Sequence, residues 1–231
     1  MNDLLVTAER LFSGHADDAA LREAGLDLLM VPVANGGFGG SWRAAYAVLR
    51  LAGRHAANAD CILIDPTPNQ RAFAVIAQIA GALDAALALS VEHANTRVQF
   101  GKPLAKLQAV QQSLAVFASE VAAADVAGQA AAQALDTGEA GFEIAAAKLR
   151  ANLAAVAGAA IAHQIHGAIG FTRDHPLHKF TVRLSDWCST CGNTRYWSER
   201  LGQLVCTAGI EHFWPTLTGR SDAAQSADQT L

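Results

Sequence analysis

A single arginine lies where two long apolar patterns meet, and its surroundings are suited to binding an anion. Arg97 opens the run RVQFGKPL, residues 97–104, which interrupts the helical periodicity on both sides. Its planar, permanently charged guanidinium can bind a phosphate or carboxylate through two parallel hydrogen bonds. A cation at a helix end is also favoured by the helix dipole alone, without any ligand. The residue type and its position leave both interpretations open.

Two cysteines form a second candidate site. Cys188 and Cys191 belong to the run WCSTC, residues 187–191, whose spacing is that of a dithiol redox motif. With Cys206 and His212 they also have a spacing compatible with zinc. Dithiol chemistry needs the first cysteine at a helix N-terminus after a strand, whereas helical sequence precedes Cys188. On a continuous helix over 195–213, Cys206 and His212 would point apart, so we expect buried structural cysteines.

Long helices must position these groups. Apolar residues recur every three or four positions from Ala72 to Ala94 and again from Leu107 to Ala124, the spacing of one helix face. Gly101 therefore falls in a tight connection between two helices.

Further helical patterns complete the fold prediction. Ser41 is placed to cap a helix running to about residue 58. A third long helix is predicted over 141–167, with Leu153 and Val156 facing the core, followed by helices over about 174–192 and 195–213. Because almost no period-two alternation occurs, we predict an all-α fold, a helical bundle with a small N-terminal helical segment.

Two prolines suggest a division of the chain. Pro66 and Pro68 lie close together and interrupt the helical pattern. We predict an N-terminal helical segment over 1–64, a Pro-rich linker over 65–70 and a helical bundle over 71–218. The small, polar residues of 219–231 predict a flexible tail.

Composition excludes several classes of partner. Hydrophobic residues make up 52% of the 231 residues and charged residues 16%, which predicts a large buried surface. The net charge of −4 and the lack of any Lys/Arg run argue against nucleic acid. No uninterrupted apolar run reaches the ~18 residues of a membrane span, and the N-terminus lacks the features of a signal peptide. We therefore expect no membrane partner and a cytoplasmic location.

Several motifs, in order, resemble the acyl-CoA dehydrogenase family. RVQFGKPL followed by Gln108 is similar to the family's R-x-Q-F-G-x-P-(I/L) run and its glutamine, and Ala147-Lys148 to its Ala-Lys pair. QIHGAIGFT, residues 164–172, resembles the Q-x-x-G-G-x-G-F loop, and residues 21–39 resemble the opening helix and loop. The resemblance implies a bundle like the family's C-terminal four-helix domain.

The resemblance also implies a cofactor and its contacts. In the family the arginine contacts the FAD pyrophosphate from a neighbouring subunit, and the glycine loop lies along the same dinucleotide. Carried over, the FAD contacts are Arg97, Phe100, Gln164 and Gly167, with Ala168 in place of the second glycine. A glycine loop at a helix end would let backbone amides approach the pyrophosphate.

Two departures from the family pattern bear on catalysis. The family's middle β-domain is missing, since only about a dozen residues separate the N-terminal helices from the first long helix. The catalytic glutamate, which removes the α-proton of an acyl-CoA thioester, is also missing. Its two family locations fall on Cys191 and beside Arg71. A cysteine of ordinary pKa is mostly protonated near neutrality, which makes Cys191 a poor base.

The resemblance implies an oxidoreductase subunit acting on an acyl-CoA thioester, in fatty acid or steroid side-chain metabolism. It would work as a homodimer or as a hetero-oligomer with a full-length acyl-CoA dehydrogenase that supplies the missing parts. One alternative is a non-catalytic helical scaffold or regulatory oligomer without flavin. Another is a helical dithiol or zinc protein using Cys188 and Cys191.

Four histidines lie between residues 163 and 178, namely His163, His166, His175 and His178. His175 and His178 are one turn apart and could ligate a metal. Because the resemblance accounts for them as loop and helix-start residues, we predict no metal site.

Overall fold

The computed structural model describes residues 2–215 and 217–219 and confirms the all-α prediction. The principal helices are α1 (Asn2–Ser13), α2 (Asp18–Glu23), α3 (Trp42–Arg54), α4 (Pro68–Thr96), α5 (Gln108–Thr137), α6 (Gly141–His166), α7 (Leu177–Ser189) and α8 (Thr194–Ala208). Two short strands, β1 (Val98–Gln99) and β2 (Lys102–Pro103), form an antiparallel hairpin between α4 and α5. Short 3₁₀ helices occupy Leu26–Leu28, Val33–Asn35, Asp60–Ile62, Leu104–Lys106 and Gly167–Phe171.

Helix α4 begins inside the predicted linker. Thr67 caps the helix through the backbone N–H of Gln70, and the Gln70 side chain accepts from the Thr67 N–H in return. Pro68 occupies the first helical position, where its missing N–H costs nothing and its fixed φ suits the helix. The second proline thus starts the helix rather than breaking it. The predicted tail lies, beyond Gly219, outside the described residues.

Helix α4 is the central element of the core and packs against α3, α5, α6 and α7. The face predicted from its periodicity is confirmed, since Ile76, Ile79 and Leu83 have no exposed surface. The face predicted for α6 is wrong at Leu153 and Val156, which are 44% and 63% exposed. Alanines occur on all sides of α6 itself, so large side chains do not distinguish its inner face. That face is formed by small residues and Ile144.

The N-terminal segment is fixed to the bundle where α3 crosses α4. A Cβ on Gly53 would lie 2.0 Å from the Gln78 carbonyl oxygen, and one on Gly81 would lie 1.9 Å from that of Arg50. The two backbones therefore touch directly, which only glycine permits. Arg50 also pairs with Asp125 of α5 at 2.7 Å, so that α3, α4 and α5 are linked.

The family's β-domain has no counterpart between α3 and α4. Residues 55–67 contain the 3₁₀ helix Asp60–Ile62 and no strand. Within the described part of the chain, β1 and β2 are the only strands.

Among the described residues, three helical segments are long and apolar enough to cross a membrane, judged by length and composition only: Pro68–Thr96, Gln108–Thr137 and Gly141–Phe171. The sequence criterion of an uninterrupted apolar run missed them, because each contains scattered polar residues. Protein covers 72% of the most apolar window of α4 but only 28% of that of α5. Helix α5 therefore presents a largely uncovered apolar surface.

Candidate functional site

The bundle has two ends that differ in chemistry. We call one the hairpin end: it contains the C-terminal ends of α4 and α6, the β1–β2 hairpin and the 167–171 loop. We call the other the cysteine end: it contains the N-terminal ends of α4 and α6 and the turn from α7 to α8. His93 near the end of α4 stacks on His166 at the end of α6, with ring centroids 4.5 Å apart. This contact shows that the two C-terminal ends lie together.

At the hairpin end, a tight turn projects an aromatic ring into solvent. Phe100 and Gly101 have φ angles of +52° and +75°, as the two-residue turns of β-hairpins require. The Leu104 N–H donates to the Arg97 carbonyl at 2.9 Å and closes the base of the hairpin. Phe100 is 86% exposed in a backbone conformation that non-glycine residues rarely adopt. An aromatic held in this way is placed to contact another molecule.

Arg97 lies at the base of that hairpin, just past the end of α4. Its backbone N–H donates to the His93 carbonyl at 2.9 Å. Within the described residues, its guanidinium has no hydrogen-bond or ion-pair partner, and the residue is exposed. A free cation at this point can bind an anionic ligand.

The predicted glycine loop follows α6 at the same end of the bundle. Gly167 ends the helix with φ +65° and ψ −146°, a combination that only glycine adopts readily. Gln164, Gly167 and Ala168 are all exposed. The structure therefore brings Arg97, Phe100, Gln164 and Gly167 to one end, and a Cβ at Gly167 would meet nothing within 4 Å.

The position of this loop on α6 determines its electrostatics. Gly167 lies at the C-terminal end of α6, where the helix dipole is negative. A helix N-terminus, which attracts phosphates, is not available there from α6. Of the predicted contacts, Arg97 is the one that carries a positive charge. The exposed cation, the open glycine and the exposed aromatic nevertheless fit a dinucleotide.

The two family positions of the catalytic base meet at the cysteine end. Arg71, in the first turn of α4, is close enough to Cys191 for its charge to act on the thiol. Burial raises the pKa of Cys191, and the charges of Lys148 and Arg71 offset this only in part. The thiol is therefore protonated at neutral pH and is a poor proton acceptor. No carboxylate occupies either position.

The sequence analysis missed the role of Lys148, which is fully buried at this end. Its ammonium donates to Asn152 Oδ1 at 2.6 Å and to the Trp187 and Gly192 carbonyls at 3.0 and 3.4 Å. Burial lowers its pKa to about 8, so it is still charged at pH 7. Lys148 thus links α6, α7 and the turn that carries Cys191. The burial of Lys148 could not be predicted from the alanines next to it in sequence, because alanine occurs both in the core and on the surface.

The predicted alternative based on cysteine is not supported by the geometry. Among the residues that the structure describes, no three of Cys188, Cys191, Cys206 and His212 come within metal-binding reach. Helix α8 ends at Ala208, so that His212 follows a break at Gly209, and Cys206 is exposed. Cys188 lies near the C-terminal end of α7, and burial raises its pKa. Both features disfavour a reactive thiolate.

The structure adds His93 to the histidines that the sequence analysis considered. His93, His166 and His175 offer ring nitrogens that all lie within 4.8 Å of one another. His178 is not among these three residues, and its Nδ1 lies 2.7 Å from the carbonyl oxygen of His175. The sequence spacing had pointed to His175 and His178. His93 escaped notice because it belongs to α4, more than 70 residues from the others in sequence.

Comparison with known proteins places the chain in a family. The model of the acyl-CoA dehydrogenase C-terminal domain matches residues 67–185. Acryloyl-CoA reductase (NADH) of Anaerotignum propionicum is 39% identical over 104 residues, 45% of this chain and 26% of the relative. Acyl-CoA dehydrogenase IpdE2 of Mycobacterium tuberculosis is 33% identical over 135 residues, which are 58% of this chain and 41% of the relative. The chain thus spans less than half the length of these curated relatives.

Solved structures show the same fold. A variant of the Tcur3481–Tcur3483 steroid ACAD aligns with a TM-score of 0.79 and 18% identity, over 90% of this chain and 98% of that chain. The ChsE4–ChsE5 complex of Mycobacterium tuberculosis aligns with a TM-score of 0.58 and 26% identity, over 59% of this chain and 37% of that chain. The match to the family model covers just over half of the chain. This protein belongs to the acyl-CoA dehydrogenase family.

Proposed function

We propose that this chain is a subunit of an acyl-CoA dehydrogenase-type oxidoreductase and that its hairpin end contacts an FAD held between subunits. Its substrate is an acyl-CoA thioester, with a bulky or steroid-like acyl group as the favoured class. A full-length acyl-CoA dehydrogenase subunit supplies the β-domain and the catalytic carboxylate. Flavin, when bound, accepts the hydride that leaves the β-carbon of the thioester.

The observation that carries this proposal is the separation of the two functional positions along α4. Arg71, beside the position of the missing base, and Arg97, the FAD contact, are 26 residues apart on one helix. At 1.5 Å per residue this is roughly 39 Å. One active site within a single chain therefore cannot use both. Arg97 is placed to complete a site on another subunit.

The hairpin supports contact with a second chain. Phe100 is 86% exposed on a backbone held in a left-handed conformation, and fixed aromatics of this kind are typical anchors of interfaces. The free guanidinium of Arg97 lies three residues away. The two side chains together offer an apolar and an anion-binding contact on one projecting element.

The surface of α5 supports assembly as well. Val116 and Val126 are 53% and 66% exposed, among alanines that also face outward. Small residues allow close approach of a neighbouring helix, and uncovered apolar area favours association. The solved relatives include the ChsE4–ChsE5 complex. A partner subunit of the same family fits this surface.

The experiment is an FAD titration of the assembly purified from its natural host through a tag on this chain. Arg97→Ala is expected to raise the Kd for FAD at least about thirtyfold, which is roughly 2 kcal/mol for a charge-assisted contact. Lys102→Ala removes an equal charge from the same hairpin and should change Kd by less than about threefold. Equal effects of the two variants on the Kd would mean that the hairpin attracts FAD only through its overall positive charge.

Other results would favour the alternatives. Unchanged FAD affinity in Arg97→Ala would remove Arg97 from the flavin site. An assembly that binds no FAD at any concentration would favour the non-catalytic scaffold. Activity that depends on Cys188 or Cys191 would favour the dithiol protein.

A further inference from the structure

We propose that His93, His166 and His175 bind one divalent transition-metal ion at the hairpin end, with zinc as the first candidate. This site goes beyond the proposed flavin contact and uses different side chains. Imidazole nitrogens suit zinc and its neighbours in the first transition row. Three histidines with an open fourth position form a known type of zinc site.

His166 is the residue best prepared to bind a metal. It is 5% exposed, and its Nδ1 lies 2.8 Å from the Ala162 carbonyl oxygen, to which it donates. This bond fixes the tautomer and leaves the lone pair on Nε2. Within the described residues Nε2 is buried and has no hydrogen-bond partner. A buried nitrogen without a partner is costly, and a metal ion would remove that cost.

The bond from His166 Nδ1 to the Ala162 carbonyl matches the usual arrangement of metal-binding histidines. Such residues donate their other ring N–H to a carbonyl or carboxylate, which orients the ring. The 167–171 loop folds closely over His166: a Cβ at Gly170 would lie 2.9 Å from the His166 Cβ. The ring is therefore held in place before any ligand arrives.

His93 and His175 lie on two sides of His166. Their ring centroids are 4.5 and 4.6 Å from that of His166. Tetrahedral zinc with bonds of about 2.0 Å requires nitrogens about 3.3 Å apart. The ring nitrogens of the three histidines, which now lie within 4.8 Å of one another, must therefore move closer together. Both outer histidines are only half-buried and can rotate. His175 Nδ1 accepts a weak bond from the Leu177 N–H at 3.2 Å, which the ion would replace.

The electrostatic surroundings favour a cation at this point, with one opposing charge. His93 is in the last turn of α4 and His166 in the last turn of α6, and helix C-termini attract positive charge. Burial lowers the pKa of both rings, so they are neutral and able to ligate at pH 7. The charge of Arg97 acts on His93 and opposes the ion.

The test uses the full chain with Cys206→Ser, which removes the exposed thiol. Zinc binding is measured by calorimetry, and Co²⁺ binding by its visible absorption. We expect one ion per chain and a loss of affinity of more than about 100-fold in His93→Gln and in His175→Ala, since even loss of an outer partner costs 10–100-fold. His178→Gln, next to the site but not a ligand, should stay within about threefold of the parent.

Thermal unfolding distinguishes a lost ligand from a lost fold. Zinc should raise the Tm of the parent and of His178→Gln, but not that of His93→Gln or His175→Ala, whose Tm without metal stays near that of the parent. The proposal is overturned if the parent binds no more zinc than the double variant of His93 and His175. It is equally overturned if tight binding persists in that double variant, which would place the ion on other residues.

Discussion

The two ends of one helical bundle differ in how completely their polar groups are satisfied. At the cysteine end, the buried ammonium of Lys148 donates to three acceptors and its surroundings are packed. At the hairpin end, Arg97 has no partner within the described residues, His166 Nε2 is buried and unpaired, and Phe100 projects into solvent. Polar groups that are hydrogen-bonded to one another stabilise the fold, whereas polar groups without a partner are available to bind a ligand or a second chain.

The largest effect is expected from Lys148 at the cysteine end. Lys148→Ala leaves a cavity and three acceptors without their donor, which should lower the free energy of unfolding by about 3–5 kcal/mol. Chemical denaturation at pH 7 measures this loss. A change below about 1 kcal/mol would show that the cysteine end does not depend on the buried ammonium.

The same lysine gives a pH dependence of known sign. Its folded-state pKa of about 8 lies below the ordinary value of 10.5, so the unfolded chain binds more protons between these values. The contribution of Lys148 to stability therefore rises as pH increases through this window. The stability difference between the parent and Lys148→Ala should grow there by on the order of 3 kcal/mol. A difference that does not change with pH would contradict the assigned burial cost.

Equal substitutions at one glycine of each end compare the two regions directly. Gly192 has φ +105°, and an added Cβ would lie 2.5 Å from Tyr196 Cδ1. Gly101 has φ +75° but nothing within 4 Å of that position. We expect Gly192→Ala to cost about 2–3 kcal/mol, from strain and overlap, and Gly101→Ala about 1 kcal/mol, from strain alone. Similar Tm losses would contradict the difference in packing.

Phe100 should matter more for assembly than for folding. Its φ of +52° is unfavourable for phenylalanine, and asparagine tolerates that region better. Phe100→Asn should leave the Tm unchanged or raise it slightly, while weakening association with the partner chain at least about tenfold. Analytical ultracentrifugation and thermal melts give the two quantities. Loss of stability without loss of association would make Phe100 a structural residue.

The smallest change concerns thiol reactivity. Burial raises the pKa of Cys61, Cys188 and Cys191, whereas Cys206 is exposed. One thiol per folded chain should react quickly with an alkylating reagent at pH 7, and Cys206→Ser should abolish that phase. Rapid modification of Cys188 or Cys191 would instead favour the interpretation of the chain as a dithiol protein.

Sequence reasoning predicted what depends on local patterns. The three long helices, the Ser41 cap and the turn at Gly101 follow from periodicity and from the conformations that glycine permits. The inner face of α6 could not be predicted, because alanine is compatible with core and surface alike. Nor could the burial of Lys148 or the meeting of His93 with His166 and His175, because these depend on how distant segments pack. The resemblance predicted which residues would contact FAD, but only the fold shows that they share one end of the bundle, far from the position expected for the base.

We infer that the hairpin end completes a flavin site on another chain. Native mass spectrometry of the assembly purified from its host reports the number of chains and of bound FAD in the same particle. We predict FAD only on particles of two or more chains, and its loss from those particles in Arg97→Ala. FAD bound to the single chain, or multichain particles that keep their FAD in Arg97→Ala, would contradict the claim.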